Sequence, residues 1–362
     1  MRVVIAPDKF AGTLTANEAA AAIARGWSSW APHDHLDLAP MSDGGPGFVD
    51  CLEASIGGML REAQVTGPYG EQVAAKFLVK GQTAYLESAQ AIGLHLTESR
   101  EPERATSYGM GELIRAAVDA GASKIVIGVG GTATNDGGAG LLAGLGATCA
   151  SGAMTMGTHG LATVTGVDLR PVLDAIRGVE LVLASDVDSQ LSGLFGATKT
   201  FGPQKGLAEE RLPAVDGVLQ QWGDLLDRSA AAAKGAGAGG GVGFALLLIG
   251  AQRVSGVTTI ADAIDLSQRL KGADLVITGE GSFDFSSRAG KVPYGVAELA
   301  GQALLPCVVM AGQVVIGSRE MRALGVEAAY SMVELVGETN SYGQAGSSLE
   351  QLASRIARNW SR

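Results

Sequence analysis

The amino-acid sequence predicts an α/β protein of two domains: one Rossmann-like parallel sheet built from the N- and C-terminal parts, with a mixed α/β domain inserted between them. Three observations predict it. Short apolar runs alternate with helical patterns at both ends of the chain, the rhythm of βαβ units. The middle breaks that rhythm with closely spaced extended runs. With 362 residues, the chain also exceeds the size at which a single hydrophobic core stops growing. The expected boundaries are 1–61 with 263–362 for the discontinuous domain, and 62–262 for the inserted one.

Val3 to Ala6, closed by Pro7, reads as a buried strand of a parallel sheet. Thr15 and Glu18 have capping-box spacing, Ala19 to Arg25 favour a helix, and Gly26 stands where a left-handed C-terminal residue is wanted. Leu36 to Met41 reads as the next strand, opening into Ser42-Asp43-Gly44-Gly45-Pro46-Gly47 and then a helix over Phe48 to Ala54. From Val65 to Glu87, turn signals at Gly67-Pro68 and Gly70 point to hairpins. Lys124 to Gly128 and Leu181 to Ala184 read as buried strands, Gly111 to Ala120 and Leu207 to Ala233 as helices. The Ala- and Gly-rich run Ala231 to Gly243 reads as an ordered loop with close backbone packing, since the apolar Phe244 to Ile249 follows at once. After Ala261 the alternation returns, with strands at Ala273 to Thr278 and Cys307 to Ala311 and a helix over Val292 to Ala303 between them.

Hydrophobic residues are 46% of the chain and charged residues 18%, a composition that suits packed domains and not disorder. A formal charge of −10 opposes binding to nucleic acid or an acidic membrane, which depends on phosphate neutralisation by Lys and Arg. Cys51, Cys149 and Cys307 are scattered and odd in number, so neither a disulfide framework nor a zinc site is expected. The longest apolar stretch, Val242 to Ala251, is too short to span a bilayer, and no signal-peptide pattern precedes Pro7. A cytoplasmic location is the expectation.

In an open parallel sheet, ligands bind outside the carboxyl ends of the strands. Asp8, Asp43, the pair Glu280 and Asp284, and the pair Asp186 and Asp188 all follow predicted strands. Such acids around one site repel unless a cation sits among them, and Mg²⁺ with its hard oxygen ligands is the natural candidate. For Asp136 and Asp188, a turn-closing role stands beside the ligand role. The segment Gly128 to Gly140 (G-V-G-G-T-A-T-N-D-G-G-A-G) can aim backbone N–H groups at an anion, with Thr132 and Thr134 adding hydroxyls. A D-G-G-x-G pattern occurs both here, at Asp136, and at Asp43. No G-x-x-x-x-G-K-[ST] occurs, which excludes a standard P-loop. Gly235 to Gly240 matches G-x-G-x-x-G but follows a helical stretch instead of a strand, so a nicotinamide dehydrogenase is a distant reading. Lys9, Lys199, Lys205 and Lys291, with Arg288, are the candidate cations for phosphates. His33, His35, His95 and His159 lie apart from the acidic loops.

Taken together these segments resemble the bacterial glycerate kinase family that lacks a P-loop. The stretches that carry it are Ile5 to Phe10 with Gly12, Asp43-Gly44-Gly45, Thr66-Gly67-Pro68, Tyr108-Gly109 with Gly111 to Ile114, Gly130-Gly131 with Thr134 to Gly138, Phe201 to Gly206, and Ala273 to Gly281. The resemblance implies ATP- and Mg²⁺-dependent phosphorylation of D-glycerate, commonly at the 2-hydroxyl, in a cleft between two α/β domains. A homodimer is the candidate assembly. Carried over by position, the resemblance implies catalytic duties for Asp8, Asp43, Asp284 and Lys291. Substrate or phosphate binding is expected of Lys9, Gly130, Gly131, Thr132, Thr134, Asn135, Asp136, Lys205, Glu280 and Arg288, and metal binding of Asp186 and Asp188. The chain departs from the family pattern at Ala11, Pro46, Phe48 and Phe285-Ser286-Ser287. Each departure removes a polar or charged group beside an expected site residue, so a kinase for a different small hydroxy acid is the alternative. A carboxylate- or nucleotide-binding protein without catalysis is the reading from another class.

Overall fold

The computed structural model describes residues 1–10, 12–98, 100–284 and 291–361. Ala11, Phe285-Ser286-Ser287 and the candidate phosphate ligand Arg288 lie outside them. The strands are β1 (Arg2–Ile5), β2 (His35–Leu38), β3 (Met59–Thr66), β4 (Gln72–Lys80), β5 (Thr83–Glu87), β6 (Lys124–Gly128), β7 (Glu180–Ala184), β8 (Gln252–Val254), β9 (Leu275–Phe283), β10 (Cys307–Val314) and β11 (Ala328–Ser331). They fall into two compact units. One comprises Met1–Asp43, Asp50–Gly57 and Ser255–Arg362; the other comprises Gly44–Val49 and Gly58–Val254.

The first unit carries a five-stranded sheet in the order β11-β10-β9-β1-β2, parallel throughout. Its central strands are covered on both faces, which is why Val3, Val4 and Ile5 run apolar without alternation and are fully buried. The helix Ala16–Trp30 opens with the capping box that the sequence predicts. The Thr15 hydroxyl accepts from the Glu18 N–H at 3.2 Å, and the Glu18 carboxylate accepts from the Thr15 N–H at 2.9 Å. Gly26 does not end this helix. It lies inside it, where a Cβ would stand 2.0 Å from the Glu350 carbonyl oxygen of the helix Ala345–Trp360. The glycine serves helix-on-helix contact, and Trp27, Ile23, Leu349, Leu352 and Ile356 fill the layer around it. Strand β9 also runs past the expected end at Thr278, because its pairing with β10 continues to Phe283↔Val314. Glu280 is therefore a strand residue, and only Asp284 follows the strand.

The second unit carries a six-stranded sheet in the order β3-β4-β5-β6-β7-β8. The expected hairpins are β3–β4 and β4–β5, both antiparallel, and the remaining pairs are parallel. Two reversals return β5 to the direction of β3, so β3, β5, β6, β7 and β8 present their carboxyl ends along one edge. The helical pattern from Leu207 to Ala233 is broken into several pieces, chiefly Leu212–Leu226 and Arg228–Ala232. Asp227 between them is extended (φ −162°), and its carboxylate accepts from the Ser229 and Ala230 N–H groups, so it restarts the helix as an N-cap. The Ala- and Gly-rich run is ordered against the loop that follows β6: Cβ atoms at Gly240 and Gly241 would stand 1.9 Å from the Thr134 carbonyl oxygen and 2.3 Å from the Gly137 Cα. Among the described residues no helix is long and apolar enough to cross a membrane.

Candidate active site

In the first unit the ladder between β1 and β9 continues beyond both assigned elements. Ala6 donates its N–H to the Ile277 carbonyl and Asp8 to the Gly279 carbonyl, at 2.7 and 2.8 Å. This fixes Asp8 beside β9, at 6% exposure, with its Oδ1 accepting the Lys9 N–H at 2.7 Å. Burial pushes the Asp8 carboxyl up to about 7; Lys9 opposes the rise, while Asp43 and Glu280 add to it as like charges. The Lys9 ammonium stands 3.5 Å from Asp43, and Lys291 stands 3.5 Å from the buried Glu280. Burial disfavours the Lys9 charge, but Asp43 and Asp8 hold its pKa above the ordinary lysine value. Asp284 accepts from the Ser282 hydroxyl at 3.3 Å, and Ser282 accepts from the Gln313 amide at 3.1 Å. The unit thus brings Asp8, Lys9, Asp43 and Glu280 into one electrostatic group, with Lys291 joined through Glu280. Beside it, Phe10, Thr13, Gly281, Ser282, Met332 and Tyr342 help to line a cavity of about 220 Å³.

In the second unit the loop after β6 is braced from within. Asp136 is fully buried; its Oδ2 accepts from the N–H and hydroxyl of Ser107 and from the Gly140 N–H at 2.7, 2.8 and 3.2 Å, and its Oδ1 accepts from the Gly138 N–H at 3.0 Å. Burial raises the Asp136 pKa against the opposition of these bonds. Its carboxylate faces inward, holding the loop's shape, so the turn-closing role describes its contacts. Several N–H groups expected to meet an anion are likewise occupied. Gly130 donates to Ser88, Ala133 to the Ile92 carbonyl and Gly137 to the Gly240 carbonyl. Among the described residues, the N–H groups of Gly131, Thr132, Thr134 and Asn135 make no such bond. Gly131 has φ +67°, a conformation that a side chain disfavours.

Lys205 lies against the same loop at 4% exposure and donates to the Thr134 carbonyl at 2.6 Å and the Thr132 hydroxyl at 3.2 Å. Burial pulls its pKa down to about 7, with Asp136 opposing. Asn135 donates to the Thr198 hydroxyl at 3.0 Å, while its buried Oδ1 has no partner among the described residues. The other D-G-G-x-G segment joins this loop: a Cβ on Gly130 would stand 2.8 Å from the Gly45 Cα, and one on Gly131 would stand 2.6 Å from the Pro46 Cγ. Phe48 is fully buried, 6.5 Å from the Tyr85 ring, so the departure at 48 is a core residue.

Asp186 follows β7 and is half-buried. Asp188 is exposed and already holds two cations, Lys234 at 2.9 Å and Arg253 at 2.8 Å; Lys234 first, then Arg253, keep its pKa below the ordinary value. Among the described residues no cluster of three His, Cys, Asp or Glu has the spacing of a complete metal site. Two contributors were not visible in the sequence. Ser107 anchors Asp136, and the buried Glu87 accepts from the Gly47 and Val49 N–H groups at 3.1 and 3.3 Å. The only trace of Glu87 is a lone acid at the end of an apolar run; Ser107 has no local signal beyond preceding Tyr108.

Two sheets with their flanking helices and a sequence without a P-loop motif define an α/β protein outside the P-loop class. The chain belongs to the Glycerate kinase family, whose profile matches residues 3–361. It is similar to the glycerate kinase of Bacillus subtilis (strain 168), with 38% identity over 99% of this chain and 97% of the relative. It is similar also to the glycerate 2-kinase of Escherichia coli (strain K12), with 38% identity over 93% of this chain and 92% of the relative. A crystal structure attributed to glycerate kinase 2 from Salmonella typhimurium LT2 superposes with a TM-score of 0.83 at 35% identity, covering 99% of this chain and 98% of the other.

Proposed function

We propose that this chain transfers the γ-phosphoryl group of ATP to D-glycerate, at the 2-hydroxyl. The observation that carries the reading is Asp8, a buried carboxyl at a strand end whose pKa of about 7 suits a general base at neutral pH. Asp8 takes the proton of the acceptor hydroxyl as the substrate oxygen bonds to phosphorus and the bond to ADP breaks. Asp8 suits the role of base better than Asp284, which is half-buried and accepts a hydrogen bond from Ser282. Lys9 and Lys291 supply positive charge to substrate carboxylate and phosphate. The neighbouring cavity of about 220 Å³ suits a three-carbon acid better than a nucleotide. In the second unit, Gly131, Thr132, Thr134 and Asn135 offer donors to phosphate oxygens, with Lys205 beneath them and Asp136 as a positioning residue.

The carboxylates Asp43 and Asp284 of the first unit fit Mg²⁺, which is commonly held by one or two carboxylates together with substrate phosphates. When bound, Mg²⁺ offsets the charge on the β- and γ-phosphate oxygens. Asp188, with two cations of its own, is the weaker ligand of the expected pair.

Incubating the protein with ATP, Mg²⁺ and D-glycerate tests the proposal. ADP should form together with 2-phosphoglycerate, distinguished from the 3-isomer by phosphorus NMR. ADP release with another hydroxy acid and none with D-glycerate would assign a different substrate.

A further inference from the structure

Two of the segments shared with the family, Thr66 to Pro68 and Tyr108-Gly109, have no part in the site as described so far. The structure brings them together. A Cβ on Gly109 would stand 2.0 Å from the Thr66 carbonyl oxygen, so only glycine allows the helix Tyr108–Asp119 to meet the end of β3 this closely. Beside that contact lies a cavity of about 510 Å³, more than twice the volume of the one near Asp8 and within the range of small-molecule sites. Pro68, Tyr69, Tyr108 and Met156 give it apolar and aromatic walls, Thr66, Thr106 and Thr155 supply hydroxyls, and Arg104 and His159 stand among its lining residues. Met156 is 60% exposed, an uncovered apolar side chain.

Resting on the kinase reading, we propose that this cavity seats the nucleobase and ribose of the nucleotide whose phosphates meet the loop after β6. Three arguments support it. Flat aromatic faces and a thioether suit a purine ring, and stacking on such walls needs no charge on the ligand. The cavity opens at the carboxyl end of β3, and the loop leaves the carboxyl end of β6 on the same edge of one sheet. Three strand spacings separate them, roughly 14 Å at about 4.8 Å each, comparable with the reach of an extended nucleoside triphosphate from base to terminal phosphate. The two places also share a wall. Thr106 and Tyr108 line the cavity, and Ser107 between them donates both its N–H and its hydroxyl to Asp136 of the loop.

Photolabelling with 2-azido-ATP, followed by peptide mapping, tests the assignment. Label protected by ATP should fall within 66–70, 104–108 or 155–159. Tyr69→Ala and Met156→Ala should each raise the KM for ATP about tenfold without a matching rise in the KM for D-glycerate. ATP-protected label confined to other peptides, with turnover intact, overturns the cavity assignment and leaves the kinase reading standing. So does an unchanged KM for ATP in both variants. Absence of both protected labelling and turnover overturns the two together.

Discussion

Asp8 in the first unit and Lys205 in the second are both nearly sealed from water, and burial drives them to about the same pKa from opposite sides. Their surroundings differ. Asp8 sits in a field of charges, with Lys9 drawing its pKa down and Asp43 and Glu280 pushing it up. Lys205 is held by neutral oxygens, a carbonyl and a hydroxyl, with Asp136 acting only at a distance. The contrast shows two ways to keep an ionisable group near its midpoint at neutral pH: mixed charges around a buried acid, or a buried base given acceptors and no close anion.

The two groups also give stability opposite slopes with pH. Folded Asp8 binds its proton more tightly than the unfolded chain does, so its contribution falls as pH rises from about 4 to about 7. Folded Lys205 binds its proton less tightly, so its contribution rises with pH from about 7 to about 10.5.

The sharpest way to break the comparison is Asp8→Asn. Turnover should fall about 10³-fold, within the range for loss of a general base, while chemical denaturation at pH 8 should show unchanged or higher stability. A protein destabilised at pH 8 would mean that the Asp8 charge is welcome in the fold. Asp136→Ala should act on stability instead, costing about 3 kcal/mol, because Ser107, Gly138 and Gly140 lose their buried acceptor; the midpoint of urea denaturation reads this directly. At pH 6 the smallest change in stability is expected of Lys205→Met. It should remove the rise in stability between pH 7 and pH 10.5 and stabilise the protein by about 1 kcal/mol at pH 6, even as phosphoryl transfer weakens. Denaturation curves at pH 6, 8 and 10 test the slope.

Much of the scaffold could be read locally. The capping box at Thr15 and the strand Lys124–Gly128 follow from residues close in sequence. The errors lie where a distant partner decides. Gly26 looks like a helix end until the Glu350 backbone is seen against it, and β9 outlasts its expected end because β10 keeps pairing with it. The candidate site divides in the same way. That Asp8, Lys9 and Asp43 would come together was expected from strand-end positions, and the glycine–threonine loop from its composition. Asp136 took the turn-closing one of its two expected roles; that Asp188 is taken by Lys234 and Arg253 was not expected, since these cations lie 46 and 65 residues along the chain.

Strand β1 is inserted between β2 and β9, so its neighbour on one side is synthesised some 270 residues later. During translation the second unit, complete at Val254, can fold on the ribosome while the N-terminal helix and strands wait for their partners. The apolar β1 and the face of Trp27 remain uncovered through that interval, which makes the nascent N-terminus the segment most in need of a chaperone.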